Sequence, residues 1–188
     1  MRLRVSCIFA AVFAIAAVLL YMSIVTEWWV LEAHDVGTGR WSWLRIYAYG
    51  LVHNMSELRQ YMMRHETPPA LMAAAKVFTF SLVGLTVLAA LLLAADRRWA
   101  WKITLAVGVV YLFYSLAFIP VLHEGTSTAP RPLPVEGETF VSMYGYTVRF
   151  ITRFEIGYYL ALASSIFLIA ASLLVYGWLR LAGRRSGT

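Results

Sequence analysis

Few side chains in this sequence are of types that do chemistry, and their spacing puts them at the ends of long apolar segments. His34, His53, His65 and His123 all fall at or beyond the edge of such a segment, and none lies in the middle of one. Haem held inside a membrane bundle needs histidines on facing helices, so no haem is expected. His34-Asp35 and His65-Glu66 are neighbouring donors without the spacing of a metal site, and no cofactor of any kind is expected. The single cysteine, Cys7, excludes an intramolecular disulfide. There is no glycine-rich phosphate loop, no nucleophile elbow and no Ser/His/Asp set that one topology would gather. No apolar segment carries a central carboxylate, the usual mark of a proton or ion path. A non-catalytic protein is therefore expected.

The remaining candidates are positional. Lys76, about one and a half turns into the second apolar segment, and Arg153 with Glu155, at the start of the fourth, are the charges near the outer ends of the segments. There Lys76 either reaches toward headgroups or pairs with Glu155 or another outer carboxylate. Gly157, Ala161 and Ser165 recur every fourth residue and give the fourth segment a small-residue face suited to close helix packing. Trp41, Trp43, Tyr47 and Tyr49 alternate as one face of a strand, with Leu44, Ile46 and Ala48 on the other. Tryptophan and tyrosine are favoured at protein interfaces, so these four are the expected contact residues. Asn54-Met55-Ser56 is an N-glycosylation acceptor triplet.

The elements that position these residues follow from composition. The chain is 61% hydrophobic and 14% charged over 188 residues, whereas soluble domains are about 45–50% apolar and about 25% charged. Four runs, at about 5–26, 70–95, 103–122 and 154–181, each approach or exceed the ~20 residues that cross a bilayer. The first is too long for a signal-peptide core and lacks a small-x-small cleavage site, so it is expected to be a span, with Trp28 and Trp29 in an aromatic belt at the interface. Pro68-Pro69 suits the first turn of the second.

Residues 2, 4, 97, 98, 102, 180, 184 and 185 set eight basic side chains against Asp96 alone on one side. The other side has eight basic residues against nine carboxylates. That bias predicts both termini in the cytoplasm and the connections 27–69 and 123–153 outside. It also accounts for the net charge of +6 without nucleic acid as a partner. Gly37-Thr38-Gly39 reads as a hairpin turn before the Trp41 strand. Ser56–Arg64 reads as a short amphipathic helix, Glu124–Pro134 as an extended polar stretch, and Thr139–Phe150 as strand-forming around Gly145. The expected fold is a single all-α membrane domain, a four-helix bundle with a small extracellular sheet built from both outer loops.

This layout resembles the claudin, peripheral myelin protein and epithelial membrane protein group. Pro69-Ala70-Leu71-Met72-Ala73-Ala74-Ala75-Lys76-Val77 is similar to that group's second-span start, with Lys76 where the group has arginine. Gly157-Tyr158-Tyr159-Leu160-Ala161-Leu162 is similar to its last-helix opening, and Trp28-Trp29 with Trp41 to its first-loop tryptophans. The group's Gly-Leu-Trp triplet and first-loop cysteine pair are absent. The resemblance implies a plasma-membrane protein that assembles laterally or extracellularly with itself or with other membrane proteins. An accessory subunit of a respiratory or transport complex is the alternative, and a small pore the second.

Overall fold

The structure, a computed structural model, describes residues 2–54, 68–127, 132–143 and 146–184. Four helices, α1 (Arg2–Val25), α2 (Pro69–Ala94), α3 (Trp101–Ser127) and α4 (Ile156–Arg184), are each long and apolar enough to cross a membrane, and a 3-10 turn at Arg98–Ala100 links α2 to α3. At 24 to 29 residues and about 1.5 Å per residue, all exceed a hydrocarbon core of about 30 Å. In the bundle α1 lies between α2 and α4, and α4 lies between α1 and α3; α2 against α3 is the thinnest side.

The bundle is apolar on its outer surface as well as in its core, and some of its small hydroxyls lie inside. Ile8, Val18, Leu85, Leu91, Phe113, Ile166 and Leu174 face outward, while Ser23, Thr79, Thr86, Thr104, Ser115, Ser164 and Ser172 are buried. Most of these hydroxyls bond back to a carbonyl three or four residues earlier. Two reach across helices. Ser23 gives its one hydrogen to Leu20 O at 2.7 Å, so the Tyr111 hydroxyl, 2.9 Å away, donates to Ser23. The Thr104 and Ser172 hydroxyls lie 2.7 Å apart across α3 and α4, each also within bonding distance of a carbonyl of its own helix, Trp101 O and Leu168 O.

Five antiparallel strands cap one end of the bundle: β1 (Trp29–Asp35), β2 (Trp41–Tyr47), β3 (Gly50–His53), β4 (Gly137–Met143) and β5 (Tyr146–Phe154), in the order β3-β2-β1-β5-β4. Both interhelical segments thus contribute to one sheet. The Gly37–Gly39 turn joins β1 to β2, closed by Asp35, whose carboxylate accepts from the Gly37 and Thr38 amides and the Thr38 hydroxyl. The Thr38 hydroxyl bond, more than any other contact, holds the Asp35 carboxyl below its ordinary value. The inner sheet face, with Trp29, Leu31, Ala33, Leu44, Val141, Val148 and Phe150, packs over Leu122 of α3 and over Leu133.

Several expectations are corrected. Trp28 and Trp29 are not belt residues facing lipid; both are almost fully buried. Successive residues of an extended chain point opposite ways, so Trp28 enters the bundle and Trp29 the sheet core, and each indole N–H finds a carbonyl, Ser23 O and Val135 O, both at 2.7 Å. Helix α3 continues through Pro120 to Ser127, where an extended stretch beginning at Glu124 is expected. Proline is tolerated in spanning helices when neighbours compensate; Leu122, just after Pro120, packs under the sheet, and Thr126 in the added turns is buried, its carbonyl accepting from the Leu133 amide at 3.1 Å. Phe154 belongs to β5 rather than to the fourth helix. Tyr49 and Ala48 form the β2–β3 turn rather than extending β2. The helix expected at Ser56–Arg64 lies outside the described residues.

Candidate functional site

At the α1–β1 and β5–α4 joins the sheet runs directly into the bundle. Beyond the strand ends the ladder continues as Trp28 N–H to Ile46 O, Glu155 N–H to Trp28 O and Gly157 N–H to Glu27 O, at 2.7, 3.0 and 2.9 Å. Gly157 is required there, because a Cβ would lie 2.5 Å from Glu27 O and 2.6 Å from Thr26 O. Below this junction the Trp28 ring is met edge-on by Tyr111, Tyr114, Phe118 and Tyr158, with centroids 5.2 to 6.1 Å away. Edge-to-face aromatic pairs at such distances add to the stabilisation from burial. The β2–β3 turn wedges into the thin side of the bundle. There the Tyr114 hydroxyl donates to Ala48 O, and Tyr49 packs against Phe80 with Lys76 Nζ 5.6 Å from its ring centroid.

This anchorage fixes the open face of the sheet, where the strand register sets the side chains in cross-strand rows. The outermost row is Trp41, His34, Arg149, Phe140, about 14 Å across four strands at roughly 4.8 Å spacing. Trp41 is 48% and Phe140 60% exposed, and the His34 ring leans on Trp41 at 6.1 Å. The next row is Trp43, Glu32, Ile151, Glu138, and the third is Val52, Arg45, Val30, Arg153.

Charges on this face neutralise one another. Arg149 grips Glu138 with two bonds of 2.6 and 2.7 Å, which hold the Glu138 carboxyl below and the Arg149 guanidinium above their ordinary values. Arg153 bridges Glu155 at 2.6 Å and Glu32 at 2.9 Å, and is raised chiefly by Glu155. Arg45 lies over the Trp43 ring at 4.7 Å and donates to Glu27 at 2.6 Å. Tyr47, stacked on Tyr49, donates to Glu27 at 3.4 Å, and burial followed by the Glu27 charge pushes its phenol up. What remains unengaged on the face is aromatic surface at Trp41 and Phe140.

Of the four expected contact aromatics, then, the structure leaves Trp41 open and half-buries Trp43, Tyr47 and Tyr49 in contacts of their own. Glu155 bonds Arg153 rather than Lys76. Ala161 and Ser165 are buried, and Ser165 O faces Gly108 of α3, whose added Cβ would lie 3.1 Å from it. The Asn54 side-chain carbonyl accepts from the Trp43 amide at 2.6 Å, extending the β2–β3 ladder by one residue; Met55 and Ser56 lie outside the described residues. Among the described residues no three His, Cys, Asp or Glu side chains group as metal ligands. Phe140 and Gly108 are the residues that sequence reasoning missed. The alternation of Phe140 with Val141 was the available signal for the first; nothing local marks the second. Compared with known proteins, the chain matches no family model and no curated protein.

Proposed function

We propose that this chain is a non-catalytic, claudin-like integral membrane protein whose sheet lies outside the plasma membrane, with both termini in the cytoplasm, and mediates lateral or extracellular assembly with itself or other membrane proteins. The observation that carries the reading is the outermost row of the open face, where Trp41 and Phe140 flank His34 and Arg149. Aromatic side chains with few rotatable bonds dominate binding energetics when a partner covers them, and the in-face ion pairs let the arginines be covered without leaving a charge unpaired. The basic side chains at the opposite end support the orientation.

Replacing Trp41 and Phe140 together with serine tests the assembly. The expected result is a smaller native particle, or loss of co-purifying chains, at unchanged monomer stability. Unaltered particle mass and composition would sink it. Labelling of intact cells tests the orientation independently: a reagent outside should modify a cysteine placed at Gly39 and spare one placed at Thr188.

A further inference from the structure

At the end of the bundle away from the sheet, α3 begins beside the last turns of α4. The Trp101 and Tyr176 rings pack with centroids 4.9 Å apart. Lys102 Nζ lies 6.0 Å from the Trp101 centroid, and Arg180 Cζ lies 5.6 Å from that of Tyr176. The result is a row from two helices: cation, ring, ring, cation. Lys102 and Arg180 are both exposed, as are Arg97 and Arg98 in the adjoining link. Among the described residues none of these four cations is paired with a carboxylate. Asp96, the one acidic residue of this end, accepts a bond from Ser6 at 3.3 Å. Running from the clamp toward mid-bundle, Leu105 and Val109 on α3 and Leu173 on α4 present apolar surface outward.

We infer that Lys102 and Arg180, assisted by Arg97 and Arg98, form a binding site for the phosphate headgroup of an anionic phospholipid whose acyl chains lie along Leu105, Val109 and Leu173. Charge complementarity selects the headgroup: four cations against the single carboxylate of Asp96, with which none of them pairs, concentrate a negative phosphodiester at the membrane surface. The ring pair holds both long side chains near their bound positions, which lowers the entropic cost of ordering them on binding. The apolar strip selects a lipid over a soluble phosphate, because these side chains stay in contact with acyl chains when the headgroup docks. The site is the same whichever leaflet this end faces, so it stands apart from the assembly role of the sheet.

The test uses the full chain purified in a neutral detergent. Phosphatidylglycerol, phosphatidylcholine or soluble glycerol phosphate is added, and lipid retention is read by native mass spectrometry beside the thermal midpoint. Phosphatidylglycerol should be retained selectively and should raise the midpoint. The double variant Lys102→Gln/Arg180→Gln should retain about thirtyfold less of it, the order expected for two lost surface charges, while its midpoint without lipid stays at the wild-type value. Lys102→Arg/Arg180→Lys should keep retention, which separates charge from fold. Equal retention of phosphatidylcholine, undiminished phosphatidylglycerol on the Gln variant, or an equal midpoint shift with glycerol phosphate would each overturn the site.

Discussion

The two ends of the bundle use similar cations in different ways. At the sheet end Arg45, Arg149 and Arg153 are each fixed by carboxylates within 3 Å, so their charge is consumed in holding strands to one another and to the residues that flank them, Glu27 and Glu155. At the opposite end Lys102 and Arg180 rest on aromatic rings, Arg97 and Arg98 stand exposed, and none has a carboxylate partner among the described residues. The contrast teaches that the sheet end satisfies its charges within the fold, whereas the opposite end leaves its cations exposed.

If that division holds, the largest losses of stability come from the sheet end. Gly157→Leu should abolish recovery of folded protein, because its side chain must occupy the space of the Thr26 and Glu27 carbonyls; the measurement is monodisperse yield after detergent extraction, and wild-type yield would break the comparison. Trp28→Ala should cost ~3–5 kcal/mol, the range for emptying a large aromatic site. Trp41→Ala on the open face should change stability by less than ~0.5 kcal/mol. Chemical unfolding of the two variants side by side sharpens the distinction between the tryptophans.

A smaller effect separates the arginines. Arg153→Gln removes two partly exposed pairs and should cost about 1 kcal/mol or less, while Arg180→Gln should be neutral in uncharged detergent. Equal losses for the two would erase the contrast between the ends. The smallest effect is that of acid on the sheet. Because the folded Glu138 and Asp35 carboxyls titrate below their ordinary values of 4.5 and 3.8, their contribution is complete above those values. It fades as pH falls through the lower, folded ones. The midpoint difference between wild type and Glu138→Gln should therefore shrink as pH falls below 4.5 through the lower, folded value; a difference that stays the same across that acid range would mean that Arg149 and Glu138 do not pair.

Legibility varied with how local the cause was. The four spans could be read to within a few residues except at α3, where Pro120 and Glu124 suggested an end that the helix overruns to Ser127, with Leu122 packed beneath the sheet and Thr126 buried. The Gly37–Gly39 turn and the strand after it were legible from turn chemistry and alternation. Strand β1 was not. As the central strand, it has residues 29–31 and 33 all buried, so the alternation that marks a half-exposed strand is missing. The open-face row was half legible: Trp41 and Phe140 through the alternation of their strands, but their place in one row only through the register with His34 and Arg149.

The sequence by itself determined that four segments must be helices in lipid, because a backbone without water has to satisfy its own polar groups, and long apolar runs have no other stable state there. The tertiary structure alone decided which tryptophans are buried, which arginines are paired and how the strands are ordered. Those outcomes rest on partners such as Trp29 and Val135, 106 residues apart, which meet only when α1 and α4 pack side by side and deliver β1 and β5 to the same edge.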